Sequence, residues 1–181
     1  MSSINKEEKR ITRHICLQLL YASEVSENFT FSESLSNFSD GDNPIFSAIS
    51  KDQLEYIKKL FQVSVDYKKK VEGIIKLQLD NWDISRLALI DKIILRMAIS
   101  EMLFIDEVPP KVSITEGVEI AKEFSTKDSS RFVNGILDAV YNKVYQTKEK
   151  IILDIKEELK KKTMEKKPKK KTMKKKKIKK K

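Results

Sequence analysis

Glycine and proline are scarce in this chain, with four of each among 181 residues. A β-sandwich or barrel needs frequent turns, so this scarcity points to long helices instead. Cysteine and histidine occur once each, as Cys16 and His14. One cysteine cannot close an internal disulfide, and two neighbouring ligands fall short of the three or four that a zinc site requires. No secretory signal precedes the first helix, so a reducing cytoplasm is the expected location. The chain also lacks a Gly-rich phosphate loop, a histidine pair and a CxxC. Acid pairs such as Glu7-Glu8 and Glu157-Glu158 fall on charged helical faces and read as solvated surface. A general base must meet a substrate pocket, and nothing in the pattern outlines one. Neither an enzyme nor a bound cofactor or metal is therefore expected. Long uncharged apolar runs are absent too: the most apolar stretch, Leu87–Ile105, carries Asp91, Lys92, Arg96 and Glu101. Four charges in one candidate span favour a buried helix over a membrane crossing.

What the chain does have is enough apolar content, 40%, for one domain with a real core. Its net charge of +10 is unevenly placed. Residues 160–181 hold fifteen of the lysines and a single acid, Glu165, giving that segment +14 and leaving −4 for residues 1–159. The sequence thus describes a mildly acidic body with a polybasic tail, expected to be disordered by like-charge repulsion.

Apolar periodicity places the helices. Ile11, Ile15 and Leu19 recur four apart, with Cys16 and Leu20 beside them, and mark one face of a first helix from Asn5 to about Val25. Cys16 falls on that apolar face as a small core residue, and His14 is expected at the surface beside Arg13. Residues 26–50 read as a loop with one short helix near Ser32–Phe38. Ser50-Lys51-Asp52-Gln53 fits a capping box, and Leu54, Ile57, Phe61 and Val65 continue from it. The pattern resumes as Val71, Ile74, Ile75 and Leu79 after a break near Val65–Lys70. Asp83 or Ser85 is positioned to cap the next helix, 85–105, which is apolar on nearly every side and belongs at the centre of the fold. Val108-Pro109-Pro110 interrupts it. Ser113-Ile114-Thr115-Glu116 reads as a second capping box, opening a helix to about Phe124. Phe132, Val133, Ile136, Leu137, Val140 and Val144 mark another. Gly135 inside it suggests a close approach by a neighbouring helix, since glycine costs about 1 kcal/mol there relative to alanine. Residues 148–159 have the pattern of one more amphipathic helix.

The segment from Trp82 to Tyr141 is the most specific. It contains W-x-x-x-R-L (Trp82, Arg86, Leu87), an I-L-R-x-A-x-x-E-M helix within Asp91–Met102, and V-P-x-K-V-x-I-x-E from Val108 to Glu116. E-I-A-K-x-F (Glu119–Phe124) and D-S-x-R-F-V-N-G-I-L-D (Asp128–Asp138) follow. These pieces, in this order, resemble the C-terminal half of the NusB family of transcription antitermination factors. Arg13, Gln18, Leu20 and Tyr21 extend the resemblance into the first helix, so that it covers about residues 10–145. The resemblance implies an all-α fold of two stacked three-helix bundles over residues 1–147. It implies binding to the boxA element of ribosomal RNA leader transcripts, a heterodimer with NusE (a small-subunit ribosomal protein), and a place in the RNA polymerase antitermination complex. Some members of the family self-associate as homodimers.

Site residues carry over by position. The family's basic first-helix motif corresponds to Lys9, Arg10 and Arg13, with Ile11 and Thr12 in place of further cations and Glu7 and Glu8 upstream. Fewer cations release fewer counterions, so the phosphate contribution is expected to be smaller here. Tyr21 corresponds to a tyrosine near the RNA and partner surfaces, or else to a buried tyrosine bonded to a neighbouring helix. Asp128, Ser129, Arg131 and Phe132 match the joint that borders RNA, where Phe132 can either stack on an unpaired base or begin the core face. Asp91 matches an acidic contact to NusE, or else pairs with Lys92 or Arg96. The tail lysines, among them Lys169, Lys170, Lys171, Lys174, Lys175, Lys176 and Lys177, form a sequence-blind tether to RNA, because phosphate contacts carry no base information. Two other readings compete: an interaction scaffold with only non-specific RNA binding through the tail, and the N-terminal fragment of a ribosomal RNA cytosine methyltransferase.

Overall fold

The apolar periodicity resolves into seven α-helices among the described residues. The structure, a computed structural model, describes residues 5–26, 30–39, 49–79, 83–147, 150–151 and 154. The helices are α1 (Lys6–Ser26), α2 (Phe31–Ser39), α3 (Lys51–Asp66), α4 (Lys68–Lys76), α5 (Leu89–Phe104), α6 (Pro110–Phe124) and α7 (Ser129–Lys143). Single 3-10 turns occur at Ile84–Arg86 and Tyr145–Thr147, and no strand occurs among the described residues. The chain divides after Lys148. In the second unit the expected 148–159 helix is described only at Lys150, Ile151 and Asp154, which are helical. Trp82 and the 160–181 tail lie outside the described residues.

Local chemistry sets the helix ends. Asn5 and Glu8 cap α1 reciprocally, the Glu8 amide donating to Asn5 Oδ1 at 2.9 Å and the Asn5 amide to Glu8 Oε2 at 2.7 Å. Ser50 and Gln53 form the expected capping box on α3. The expected break falls at Tyr67, which separates α3 from α4. Asp83 caps the 3-10 turn rather than α5, accepting from the Ser85 amide at 2.9 Å. The capping box expected at Ser113 is not formed. Pro109 and Pro110 start α6 four residues earlier, with proline at the first helical position, where its missing amide costs nothing. Ser113 and Glu116 thereby become interior side chains, both buried.

α5 is the shared centre. Residues Ile93 to Leu103 are all buried, and α1, α3, α4, α6 and α7 pack against the helix. On one side α1, α2 and α3 pack together, and on the other α6 and α7 close over α5. The tight glycine is not Gly135, which is exposed and has open space where a Cβ would stand. It is Gly117, where an added Cβ would meet Leu137 Cδ1 at 3.0 Å and Ala98 Cβ at 3.1 Å. The Leu137 tip can swing aside, but Ala98 Cβ moves only with the α5 backbone. Gly117→Ala should therefore destabilise by about 1–2 kcal/mol through overpacking. Gly135→Ala should stabilise by up to about 1 kcal/mol through helix propensity. Urea unfolding of both variants checks the opposite signs.

Candidate nucleic-acid interface

On α1, Lys9 and Arg13 are four residues apart and share a helical face, with Arg10 about 100° round from Lys9, so burial and not helical phase decides which of them meets solvent. Lys9 lies beside Tyr56, Ile105 and Val108. Arg10 lies on the α6 side, close enough to Glu119 to help hold that carboxyl below its usual range, after the larger effect of its hydrogen bond from Lys122. Arg13 is withdrawn from the surface and only 3% exposed. Its Nε donates to Glu101 Oε1 at 2.8 Å, and its Nη2 donates to the Tyr56 hydroxyl at 3.5 Å. The Tyr56 hydroxyl also donates to Glu101. Ser113 Oγ donates to Glu101 Oε2 at 2.6 Å. Burial is the largest single effect and opposes the arginine charge, but Glu101, Tyr56 and Glu116 together outweigh it and raise the Arg13 pKa above its ordinary value. The expectation of Arg13 as a surface cation thus gives way to a buried network joining α1, α3, α5 and α6. Glu101, a carboxylate on a helix that is apolar on nearly every side, was the sequence signal for this, because a buried carboxylate needs partners.

His14 is half-buried, against the expectation of a surface position, and meets Phe124 edge-on with ring centroids 5.1 Å apart. Burial lowers its pKa from the ordinary 6.5, against the pull of Glu123. The native state then resists a proton that the unfolded chain accepts. The contribution of His14 to stability is present above 6.5 and lost as pH falls through the lower folded value. His14→Phe should lose less stability than the parent chain between about pH 7 and pH 5.5, read from urea midpoints. Cys16 is fully buried, and that burial pushes its thiol pKa far up. Tyr21 is exposed, on the same face of α1 as the exposed Ile11 and Val25.

The second cluster lies where α7 begins against the start of α5. Ser129 is buried and its Oγ donates to Asp91 Oδ2 at 2.9 Å. Ser125 Oγ donates to Ser129 Oγ at 3.0 Å, and the Ser129 amide donates to Thr126 Oγ1 at 3.3 Å. The joint between α6 and α7 is thereby tied to α5. Asp91 is buried as well, and it pairs with neither Lys92 nor Arg96 among the described residues. Arg96 instead donates to Glu24 at 2.9 Å and Glu72 at 3.4 Å, and Lys68 also reaches Glu24. Asp128 and Arg131 stand exposed beside this lock, and Phe132 is half-buried against the core. The structure therefore brings Asp91 together with Ser129 and places Asp128, Arg131 and Phe132 around them. Lys9 lies near the opposite end of α5, Arg10 lies on the α6 side near Glu119, and Lys169–Lys171 and Lys174–Lys177 lie outside the described residues.

No group of three or more His, Cys, Asp or Glu that could hold a metal ion occurs among the described residues. No described helix is long and apolar enough to cross a membrane. Fold and site together define an all-helical protein whose candidate surfaces are exposed helix ends set by buried polar networks. The NusB family model matches residues 10–142. The transcription antitermination protein NusB of Chloroherpeton thalassium is 41% identical over 136 residues, which are 75% of this chain and 62% of that protein. The NusB protein of Methylacidiphilum infernorum is 37% identical over 132 residues, 73% of this chain and 89% of that one. Among solved structures, T. maritima NusB matches with a TM-score of 0.67 and 27% identity, covering 78% of this chain and 96% of that one. A complex of the antitermination factors NusB and NusE with double-stranded RNA contains a chain matching at TM-score 0.66 and 22% identity, over 76% of this chain and 98% of that one. This chain belongs to the NusB family, whose curated relatives are transcription antitermination proteins and not enzymes.

Proposed function

We propose that this protein is a transcription antitermination factor that binds boxA RNA of ribosomal RNA leader transcripts together with NusE, within the RNA polymerase antitermination complex. Family membership supports the reading, and the observation that carries it is the Asp91–Ser129 lock at 2.9 Å. That lock fixes the start of α7, so Asp128, Arg131 and Phe132 keep their positions at the surface without RNA present. Phe132 stacks on an unpaired base and Arg131 meets phosphate, the usual means of gripping single-stranded RNA. Tyr21, Lys9 and Arg10 contribute from α1, while Arg13 and Ser129 act from below by holding the helices in place. Asp91, whose Oδ1 has no hydrogen-bond partner among the described residues, is the acidic residue this reading assigns to NusE.

The test is binding of boxA RNA and a scrambled control, with and without purified NusE, at two salt concentrations. A boxA preference that sharpens with NusE is the expected result. Equal, salt-sensitive binding of both RNAs would replace this reading with a scaffold that meets RNA only through its lysine tail. The burial of Arg13 gives that alternative its footing, since it removes a cation from α1. Phe132→Leu keeps an apolar side chain on the core and removes the ring. It should weaken boxA binding about tenfold, within the range for one lost base stack, with an unchanged unfolding midpoint.

A further inference from the structure

The network around Arg13 is one positive charge short. It buries two carboxylates, Glu101 and Glu116, against a single guanidinium. Glu101 is fully engaged, by Arg13 and Tyr56 at Oε1 and by Ser113 at Oε2. Glu116 is not. Its side chain is 6% exposed, Arg13 Nη1 stands 3.9 Å away, and Oε2 has no hydrogen-bond partner. A buried carboxylate oxygen left without a donor is costly and calls for one. Glu116 and Arg13 line a cleft of about 220 Å³ whose other walls are Lys9, Val108, Pro109 and Val112. Lys9 reaches no carboxylate within ion-pair distance among the described residues. Asp52 and Glu55 line the adjoining cleft, which shares Lys9 and Val108.

We infer that this cleft receives a basic side chain from a partner polypeptide, which pairs with the Glu116 carboxylate while a neighbouring apolar residue rests on Val108, Pro109 and Val112. A cation supplies the missing charge and the missing donor together. The two adjoining clefts together carry Asp52, Glu55, Glu107 and Glu116 against Lys9, Arg13 and Lys59, and this net acidic lining disfavours a phosphate backbone and favours a basic polypeptide over RNA. The cleft lies at the C-terminal end of α5, about 20 Å along the helix from Asp91 at 1.5 Å per residue. Lys9 belongs both to this cleft and to the proposed RNA contacts, so the cleft is tested with a peptide in the absence of RNA and NusE, and failure there leaves the boxA reading standing.

The probe is N-acetyl-Leu-Arg-amide, titrated into the 15N-labelled full chain, with N-acetyl-Leu-Gln-amide and a short unpaired RNA as controls. Saturable amide shifts at Val112 and Glu116 are expected with the arginine peptide, and about tenfold weaker binding with the glutamine peptide. Glu116→Gln should weaken the arginine peptide by a similar factor. If that variant unfolds, Val112→Lys serves instead, because Val112 lies on the exposed wall and outside the network. It should abolish the shifts by filling the cleft and adding a like charge. Equal binding of both peptides, arginine-induced shifts confined to other residues, or RNA producing the same shifts would each overturn the inference.

Discussion

Arg13→Leu should destabilise the fold by about 3–5 kcal/mol, the usual cost of removing one partner from a buried ion pair. The substitution leaves Glu101 and Glu116 facing each other with no cation between them. Domains of this kind have about 5–15 kcal/mol of total stability, so the variant should unfold at much lower urea and at a lower temperature. Arg13→Leu/Glu101→Leu should recover a substantial part of the loss, because the most closely paired carboxylate goes with its partner. The double-mutant cycle then gives a coupling of about 1–3 kcal/mol, as for residues in one polar network. The outcome also decides how an arginine in the family's basic motif acts. Loss of RNA binding that follows loss of fold assigns Arg13 to the scaffold. An unchanged urea midpoint with lost RNA affinity would return it to the RNA surface.

Removing residues 160–181 should have the largest effect on RNA affinity. Those residues hold fifteen lysines, and the rest of the chain is net acidic at −4. Each phosphate contact on single-stranded RNA contributes about 0.7 to the slope of log affinity against log salt. If about five tail lysines meet phosphates, truncation should flatten the slope by about 3 to 4 and lower low-salt affinity about a hundredfold. The ratio of boxA to scrambled affinity should hold, because phosphate contacts select no base. A ratio that falls to one on truncation would mean that the body reads no sequence, and that the tail accounts for all the RNA binding.

These two expectations separate local information from tertiary information. Periodicity was sufficient to locate most described helices, since a helix that buries one stripe must repeat its apolar residues every three to four positions. Ser50 and Gln53 revealed the start of α3, because a capping box is a contact between residues three apart. The central burial of α5 was legible in its lack of a polar face. Family resemblance likewise rests on short motifs that survive without knowledge of contacts.

The roles of individual polar residues were not legible in the same way. Ser113-x-x-Glu116 has the spacing of a capping box, and also that of two side chains on one helical face. Pro110 at the first turn of α6 put the pair inside the helix and settled which spacing applied. Gly117 and Gly135 look alike in sequence, but only Gly117 has Ala98 and Leu137 against it. Arg13 reads as a surface cation beside Lys9 and Arg10. Its partner Glu101 lies 88 residues away, and no local pattern connects them. The sequence by itself determined the helical class, the family and the separation of an acidic body from a basic tail, because composition and periodicity report on burial and charge segment by segment. Only the tertiary structure decided which cations face solvent, because a buried charge is stabilised by partners that the chain brings together only on folding.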